Sequence, residues 1–416
     1  MRYCKRCLYP ETHPLNITFG KDGVCSGCRV HEEKFSIDWK TREQSLLKIL
    51  NSYRSETGNN YDCIIPVSGG RDSYFIVHMI KNVYGMNPLL VMYNKHYNTR
   101  RGLRNFANLK VTFNCDAISM VCDPAKLKRI TKYTLEKLGS IYWHVLAGQT
   151  VFPVQSAVRH KIPLIIWGAH QGLDQVGMYS HLDEVEMTRK YRKEHDLMGL
   201  EAEDLLDNSG LVESDLLQFF YPHDKELEKI GVRGIYLGNY IPWDSKAQHE
   251  LMIKTYGYET SSQQRTFDTY NDVDCIHYSG LHDYIKYIKY GYGKVTDHAC
   301  REIRWGRLTR DEGIQLVKAY QDKLPNDIPH FLRWIGLSGE HVFKTVNKFR
   351  NPHIWQQIFN LEWRQKDPIT NYFGEKGIEH LSIPKTNSCD FVVTPPRESS
   401  VNENEYILMS KGFVDV

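Results

Sequence analysis

Between Val67 and Tyr74 the chain reads Ser68-Gly69-Gly70-Arg71-Asp72-Ser73. Paired glycines let backbone N–H groups approach an anion with no Cβ in the way, and Ser68 and Ser73 add hydroxyl donors. Asp72 is the odd member, because a carboxylate beside a polyphosphate repels it unless a cation bridges the two. The string therefore implies Mg²⁺ held in part by Asp72. Two glycines in a loop are by themselves only a tight turn. What lifts this string above that reading is an apolar run before it and a helix start at Asp72-Ser73, whose amino-terminal dipole end favours an anion. A second group is cysteinyl. Cys4-x-x-Cys7 and Cys25-x-x-Cys28 supply four thiolates at knuckle spacing, which suits tetrahedral zinc, structural rather than catalytic because protein would fill every position. Free thiols, an iron–sulfur cluster or a redox pair are the alternatives. His13 could replace one sulfur, but beside Pro14 it reads as a surface residue.

The elements that must position these groups can be read from periodicity. Residues 1–35 form a cysteine module with a short hairpin around Lys21-Asp22-Gly23, and 36–60 a helix and polar linker. From residue 61 strand and helix alternate. Tyr61 to Val67, Pro88 to Tyr93, Ala117 to Val121 and Ile162 to Trp167 are the strands; Asp72 to Tyr84, Leu103 to Phe113, Pro124 to Leu138 and Val151 to His160 are the helices. Such βα repetition predicts an α/β fold with a doubly wound parallel sheet, whose ligands lie at the carboxyl ends of the strands. That domain is placed at 61–245, with a charged helical insertion or lid at about 183–230. A mainly helical substrate or partner region follows at 246–350, and 351–416 is an extension of unassigned role.

Two further segments carry candidate ligands. Gly168 to Asp174 follows the last predicted strand of the series, where His170 could contact substrate or phosphate and Asp174 could orient it or hold metal; an ordinary polar loop is the alternative. Arg301, Arg304, Arg307 and Arg310 recur every three residues, a slowly drifting stripe if the helix continues through Gly306. Their guanidinium forks could clamp pyrophosphate or a nucleotide diphosphate; a solvated face is the bland reading. Trp243 and Asp244 could stack on and hydrogen-bond a sugar or base, although a buried Trp is more often core.

Composition narrows the class. With 53 Lys and Arg against 50 Asp and Glu, scattered in short groups, the chain lacks the dense basic face of a nucleic-acid binder. No apolar run approaches a membrane span, and Met1 to Arg6 has no secretory core, so cytoplasmic residence is the default expectation. The six cysteines outside the module are dispersed singly, unlike a secreted disulfide scaffold.

The loop resembles the Ser-Gly-Gly-x-Asp-Ser signature of the PP-loop ATP pyrophosphatases and lacks the Gly-x-x-x-x-Gly-Lys-Ser/Thr string of kinases and GTPases. That resemblance implies attack by a carbonyl oxygen on the α-phosphate of ATP, pyrophosphate leaving and an adenylated substrate remaining. A wider pattern resembles the N-acetyl sugar amidotransferases of lipopolysaccharide and nonulosonic acid biosynthesis (the WbpG and PseA type). Its elements are Cys4 to Pro10, Gly23 to Cys28, Val67 to Ser73, Asn98-Thr99 with Gly102 and Asn105, Trp243-Asp244, and Lys289 to Gly293 through Asp297, Arg301 and Arg304 to Arg307 as far as Glu312. It covers about residues 1 to 350. It implies conversion of the acetamido group of a nucleotide-linked sugar to an acetamidino group with ATP, Mg²⁺ and structural Zn²⁺. Ammonia would come from a separate glutaminase through a barrel subunit, similar to those of imidazole-glycerol-phosphate synthase. Asp72, Ser73, Arg301 and Arg304 are the expected catalytic residues, Ser68 to Ser73 the ATP-binding set, and His170, Asp174, Trp243, Asp244 and Arg307 the expected substrate contacts.

Two rivals share the motifs. A tRNA thiolase would need a further cysteine pair, and Cys63, Cys115, Cys122, Cys275, Cys300 and Cys389 form no Cys-x-x-Cys. A non-catalytic nucleotide-binding subunit would bind ATP without releasing AMP. No glutaminase nucleophile is fused to the chain: Arg2 stands where an amino-terminal cysteine would be needed, and no Gly-x-Cys-x-Gly elbow occurs.

Overall fold

Five short strands form one parallel sheet, whose three central strands are apolar runs covered on both faces. The five are β1 (Cys63–Pro66), β2 (Pro88–Asn94), β4 (Ala117–Val121), β5 (Leu164–Trp167) and β6 (Arg233–Tyr236), in the spatial order β4-β2-β1-β5-β6. A two-residue strand, β3 (Asn98–Thr99), lies outside this sheet. The computed structural model describes residues 1–206, 210–359, 362–380, 383, 386, 389–394, 406–408 and 412–413. Register runs Ile64 against Leu89 on one side of β1 and Ile64 against Ile165 on the other. Successive residues face opposite ways, so Ile64, Leu89, Val91 and Ile165 enter one core and Ile65, Leu90, Met92 and Ile166 the other.

The first 33 residues hold the four cysteines, then α1 (Ser26–Glu33); α2 (Trp39–Ser52) is capped by Asp38, which accepts from the Lys40 and Thr41 amides. Within the sheet domain, α3 (Arg71–Val77) runs on into a π-helical turn to Val83, and α4 (Arg100–Phe113) follows β3. Then come α5 (Pro124–Leu138) and α6 (Trp143–His160). Periodicity places this helix only at Val151 to His160, whereas the structure starts α6 at Trp143. Gly148 is there so that the ring of Tyr93 can lie against the helix: an added Cβ would sit 2.3 Å from it. Pro153 costs one backbone bond, which does not break an 18-residue helix packed on the sheet.

Four short helices, α7 (Gln171–Asp174), α8 (Arg189–Tyr191), α9 (Glu213–Leu216) and α10 (Asp224–Ile230), connect β5 to β6. This stretch packs Leu197, Ala202, Leu205, Leu216 and Phe219 into the same core as α6. After β6 the chain is helical: α11 (Ser245–Tyr256), α12 (Ile276–Ser279), α13 (Leu281–Tyr290), α14 (Lys294–Arg304), α15 (Arg310–Tyr320), α16 (Ile328–Ile335) and α17 (Gly339–Asn347). The hairpin β7 (Trp355–Phe359) and β8 (Glu362–Gln365) follows, and β9 (Tyr406–Leu408) with β10 (Gly412–Phe413) pairs onto β3. Much of the extension from 351 lies outside the described residues. Among the described residues no helix is long and apolar enough to cross a membrane.

The cysteine segment shares its core with distant helices. Tyr9, Val24, Cys4 and Cys28 pack with Val295, Ala299, Ile303, Ile314 and Val317, so α14 and α15 close it from behind. Those arginines of the three-residue repeat therefore do not form one stripe. Helix α14 ends at Arg304, Gly306 turns the chain at φ +67°, and α15 starts at Arg310.

Candidate functional site

Strand β1 delivers the chain to the glycine loop at the point where the sheet order reverses. From β1 the chain moves outward to β2 and β4, and later crosses to β5 and β6 on the other side. The crevice beyond β1 and β5 is where such a sheet binds ligands. Gly69 has φ +76°, and a Cβ there would lie 2.4 Å from the Gly102 carbonyl oxygen, so both conformation and space require glycine. The two hydroxyls close the loop on itself. Ser73 Oγ accepts from the Ser68 amide at 3.1 Å, and Ser68 Oγ accepts from the Gly70 amide at 3.2 Å. Gly70 caps α3 with no side-chain bond to its first amides, leaving these donors facing the crevice.

Around the loop lies a cavity of about 340 Å³ lined by Ser68, Gly70, Arg71, Asp72, Ser73, Tyr93, Trp167, Ala169, Asp272 and Asp274. It adjoins a larger one of about 620 Å³, and Arg71, Asp72, Ala169, Gln171 and Asp272 line both. Asp72 is thus at the junction. Its side chain keeps 34% of its surface exposed, while Oδ1 is sealed and forms an ion pair with Arg71 Nε at 3.3 Å. Loss of water pushes its carboxyl above the ordinary range; Arg71 opposes this, and the charges of Asp174 and Asp272 add to it. Two carboxylates, Asp72 and Asp272, line both cavities beside the loop; oxygen donors of this kind suit a hard divalent cation, and these two would hold Mg²⁺ against a bound polyphosphate.

Sequence reading missed Asp272 and Asp274. They come from Asn271-Asp272-Val273-Asp274, about 200 residues after the loop in the chain, and only alternating carboxylates mark them. Asp272 adopts φ +55° and pairs with Lys294 at 2.8 Å. Asp274 and Lys95, at the end of β2, form an ion pair with both side chains buried. The backbone of Asp274 rests on Gly102, where a Cβ would sit 2.5 Å from its Cα. Glycine at 102 lets this acidic segment close over the glycine loop.

The other expected site residues separate. Asp174 lines the larger cavity; burial opposes its charge, but contact with Lys34 outweighs this and holds its carboxyl below the ordinary range. Trp243 also lines it, with its ring edge-on to Phe75 at 5.6 Å. Arg301 lines it while donating to Asp268 at 2.6 Å and Glu302 at 2.8 Å. Arg304 lines it while donating to the Gln175 carbonyl at 2.7 Å. Arg307 and Asp244 pair with each other, Asp244 also capping α11, and neither lines either cavity. His170 is buried among Tyr179, Tyr191 and Tyr236 with both ring nitrogens unpartnered, and burial lowers its pKa to about 4. It too is absent from both linings.

The four module cysteines are fully buried and their sulfurs all lie within 4.8 Å of one another. Cys7 and Cys25 Sγ are 3.6 Å apart, close to the edge of about 3.8 Å that Zn–S bonds of about 2.3 Å would give a tetrahedron. Three amides, those of Arg6, Cys7 and Cys25, donate to Cys4 Sγ at 3.3–3.4 Å, as they would to a thiolate. Arg304 Nη2, 3.7 Å from Cys25 Sγ, offsets the negative charge of the set. These residues fit a four-thiolate metal centre. The module also reaches the larger cavity, which Tyr9, His13, Leu15 and His31 help to line. His13 is therefore buried, not the surface residue its sequence context suggests, because Tyr292 stacks on it at 5.2 Å.

Residues 264–366 match a family model described as LPS biosynthesis protein WbpG-like, C-terminal domain. The match spans α12 to the β7–β8 hairpin, the part of the chain that supplies Lys294, Arg301 and Arg304 to the cavity. A stretch of 113 residues, 27% of this chain, is 25% identical to the uncharacterized protein MJ1599 of Methanocaldococcus jannaschii and spans 40% of that relative's length. Among solved structures, NMN synthetase from Francisella tularensis aligns with 47% of this chain and 92% of its own at 14% identity and a TM-score of 0.25. The NH3-dependent NAD synthetase from Campylobacter jejuni aligns with the same shares at 12% identity and a TM-score of 0.26.

Proposed function

We propose that this chain is the ATP-using synthetase component of an amidotransferase that turns the acetamido group of a nucleotide-linked sugar into an acetamidino group. The observation that carries the reading is Asp72 at the junction of two cavities, one built on a phosphate-binding loop and the other wide enough for a second substrate. The WbpG-like match over residues 264–366, a domain named for lipopolysaccharide biosynthesis, supports a sugar as that second substrate.

In this reading the loop amides and the α3 amino terminus bind the ATP phosphates, and Asp72 with Asp272 hold the bridging cation. The amide oxygen attacks the α-phosphorus and the bond to pyrophosphate breaks. Ammonia then adds to the imidate carbon, AMP leaves with the former amide oxygen, and a proton is released as the amidine forms. An amide oxygen is a poor leaving group, and adenylation is what makes its departure feasible. Arg301 and Arg304, which line the larger cavity, are the cations assigned to the negative charge that develops on pyrophosphate or AMP. Ammonia is supplied by a separate glutaminase through a barrel subunit, and Zn²⁺ occupies the cysteine set as a structural ion. Among the described residues no cysteine lines either cavity, which favours this reading over a thiolase that works through a cysteine pair.

The test incubates the protein with Mg-ATP, ammonium and a panel of acetamido nucleotide sugars. AMP and pyrophosphate should form together with a sugar in which NH replaces the carbonyl oxygen, read by mass. Release of ADP, or ATP binding with no AMP from any sugar in the presence of ammonium, would overturn the reading.

A further inference from the structure

The segment that follows β5, residues 168–181, is laid along α1 of the cysteine module. At the amino end of α1, Ser26 Oγ donates to the Val176 carbonyl at 2.7 Å, and Gly27 comes so close that an added Cβ would lie 2.7 Å from the Gln175 carbonyl oxygen. Toward the other end, Glu33 Oε2 accepts from the Ser180 hydroxyl at 2.9 Å and the His181 amide at 2.8 Å, and Lys34 pairs with Asp174. Ser26 and Gly27 are the two residues between Cys25 and Cys28, so this segment rests on the metal knuckle itself. Asp174 and Gln175 in turn line the larger cavity. Arg304, at the end of α14, joins the two. It is 2% exposed and forms no ion pair with a carboxylate among the described residues. Its Nη1 donates to the Gln175 carbonyl at 2.7 Å and its Nη2 to Cys25 Sγ at 3.7 Å. A guanidinium is planar and rigid, so holding one of these nitrogens fixes where the other points. Four thiolates around a divalent ion carry a net negative charge, which is the counter-charge a buried guanidinium requires.

We infer that Arg304 is a positioning residue through which the four-thiolate metal centre holds the segment after β5, so that the module sets the wall of the larger cavity at Asp174 and Gln175. This role adds to the charge assigned to Arg304 above, and it rests on the four-thiolate site rather than on the sugar reaction. With metal bound, the knuckle is a rigid unit, and two ties, Ser26 to Val176 and Arg304 to Gln175, transmit its position to the cavity wall. With metal removed, only packing keeps Ser26 and the Cys25 sulfur in place, and both ties loosen. The glycine loop is carried by β1 and α3, which the knuckle ties do not touch, and keeps its place. Metal loss is therefore felt as a mobile substrate-side wall beside an intact glycine loop.

The experiment loads the full-length protein with Co²⁺ and follows amide hydrogen exchange along the chain in the wild type, the wild type after chelation, Arg304→Met, Arg304→Lys and Ser26→Ala. The amides to watch are those of Asp174, Gln175 and Met178, which donate to the carbonyls of His170, Gln171 and Gly172. Expected is exchange faster by about tenfold or more at these amides after chelation and in Arg304→Met, with α3 at its wild-type rate and metal per chain unchanged in the variant. Arg304→Lys, a point charge in place of a fork, should restore only part of the protection. The thiolate-to-cobalt absorption band should shift in Arg304→Met and stay in place in Ser26→Ala, because only the first removes a donor from the Cys25 sulfur. Absence of that band in the wild type, exchange unaltered by chelation, or an Arg304→Met protein in which α3 loosens as much as residues 174–178 would each overturn the inference. If Arg304→Met does not fold, Ser26→Ala decides: wild-type exchange at Met178 in that variant would overturn it. Neither AMP nor a sugar is read, so failure of the proposed reaction leaves each of these outcomes as it stands.

Discussion

Asp72 combines an oxygen paired with Arg71 with a position on both cavity walls. Replacing it by asparagine keeps the shape and removes the charge that would hold a cation, so AMP formation should fall about 10²-fold or more. Steady-state release of AMP, alongside an unchanged melting temperature, measures it; activity within a few-fold of wild type would remove Asp72 from the chemistry. Gly69 makes a different demand. Alanine there meets both a left-handed backbone and the Gly102 carbonyl, so Gly69→Ala should abolish ATP binding by displacing the loop, readable by equilibrium titration. Of the arginines and carboxylates that sequence spacing singled out, Arg307 and Asp244 are committed to each other, and Asp244 also caps a helix. Residue type alone carries no information about which anion a guanidinium will meet first.

At the scale of elements, the segment 271–275 is the piece on which the site depends. It is held by the buried Lys95–Asp274 pair and by the close approach of Gly102 on α4. Removing one member leaves the other charge buried, so Asp274→Ala should cost about 3–5 kcal/mol in urea unfolding. A loss below about 1 kcal/mol would mean that water reaches Lys95 and the segment is not anchored there. The cysteine module is similarly tied to remote helices. Because Cys4, Cys7, Cys25 and Cys28 share a core with α14 and α15, Cys25→Ser should lower both bound metal per chain and the affinity for the second substrate, while ATP affinity changes less. Metal analysis with parallel titrations separates these outcomes, and an unaltered metal content would dismiss the four-thiolate site.

For the molecule as a whole, acid should be destabilising well before the carboxylates titrate. His144, His249, His282 and His298 are each held by burial at a pKa of about 3, below the ordinary 6.5. The folded state binds these protons less readily than the unfolded chain. Their contribution is therefore present above about pH 6.5 and is lost as pH falls from there toward about 3. Asp196, raised by burial to about 7, acts with the opposite sign, stabilising less as pH rises through that value. Buried histidines, among them His96, His170 and His181 at about 4, outnumber the raised carboxyls, and urea midpoints measured from pH 7 to pH 4.5 at constant ionic strength should decline. A flat profile would mean that the histidines gain protons without unfolding.

Sequence by itself determined the elements whose signals are local. Apolar runs too short for anything but buried strands, glycines where the chain must turn, and Cys-x-x-Cys spacing all act over a few residues, so the parallel sheet, the glycine loop after its first strand and the cysteine cluster were legible. Helix α6 was half-legible, since Gly148 is explained only by the Tyr93 ring that lies on it. Tertiary structure alone decided which distant groups meet. Nothing in a linear spacing links Asp72 to Asp272, Lys95 to Asp274, Cys25 to Arg304 or Lys289 to the end of α5. These contacts follow from how the carboxy-terminal helices fold back over the switch point and the cysteine module, and burial there fixes which charges meet.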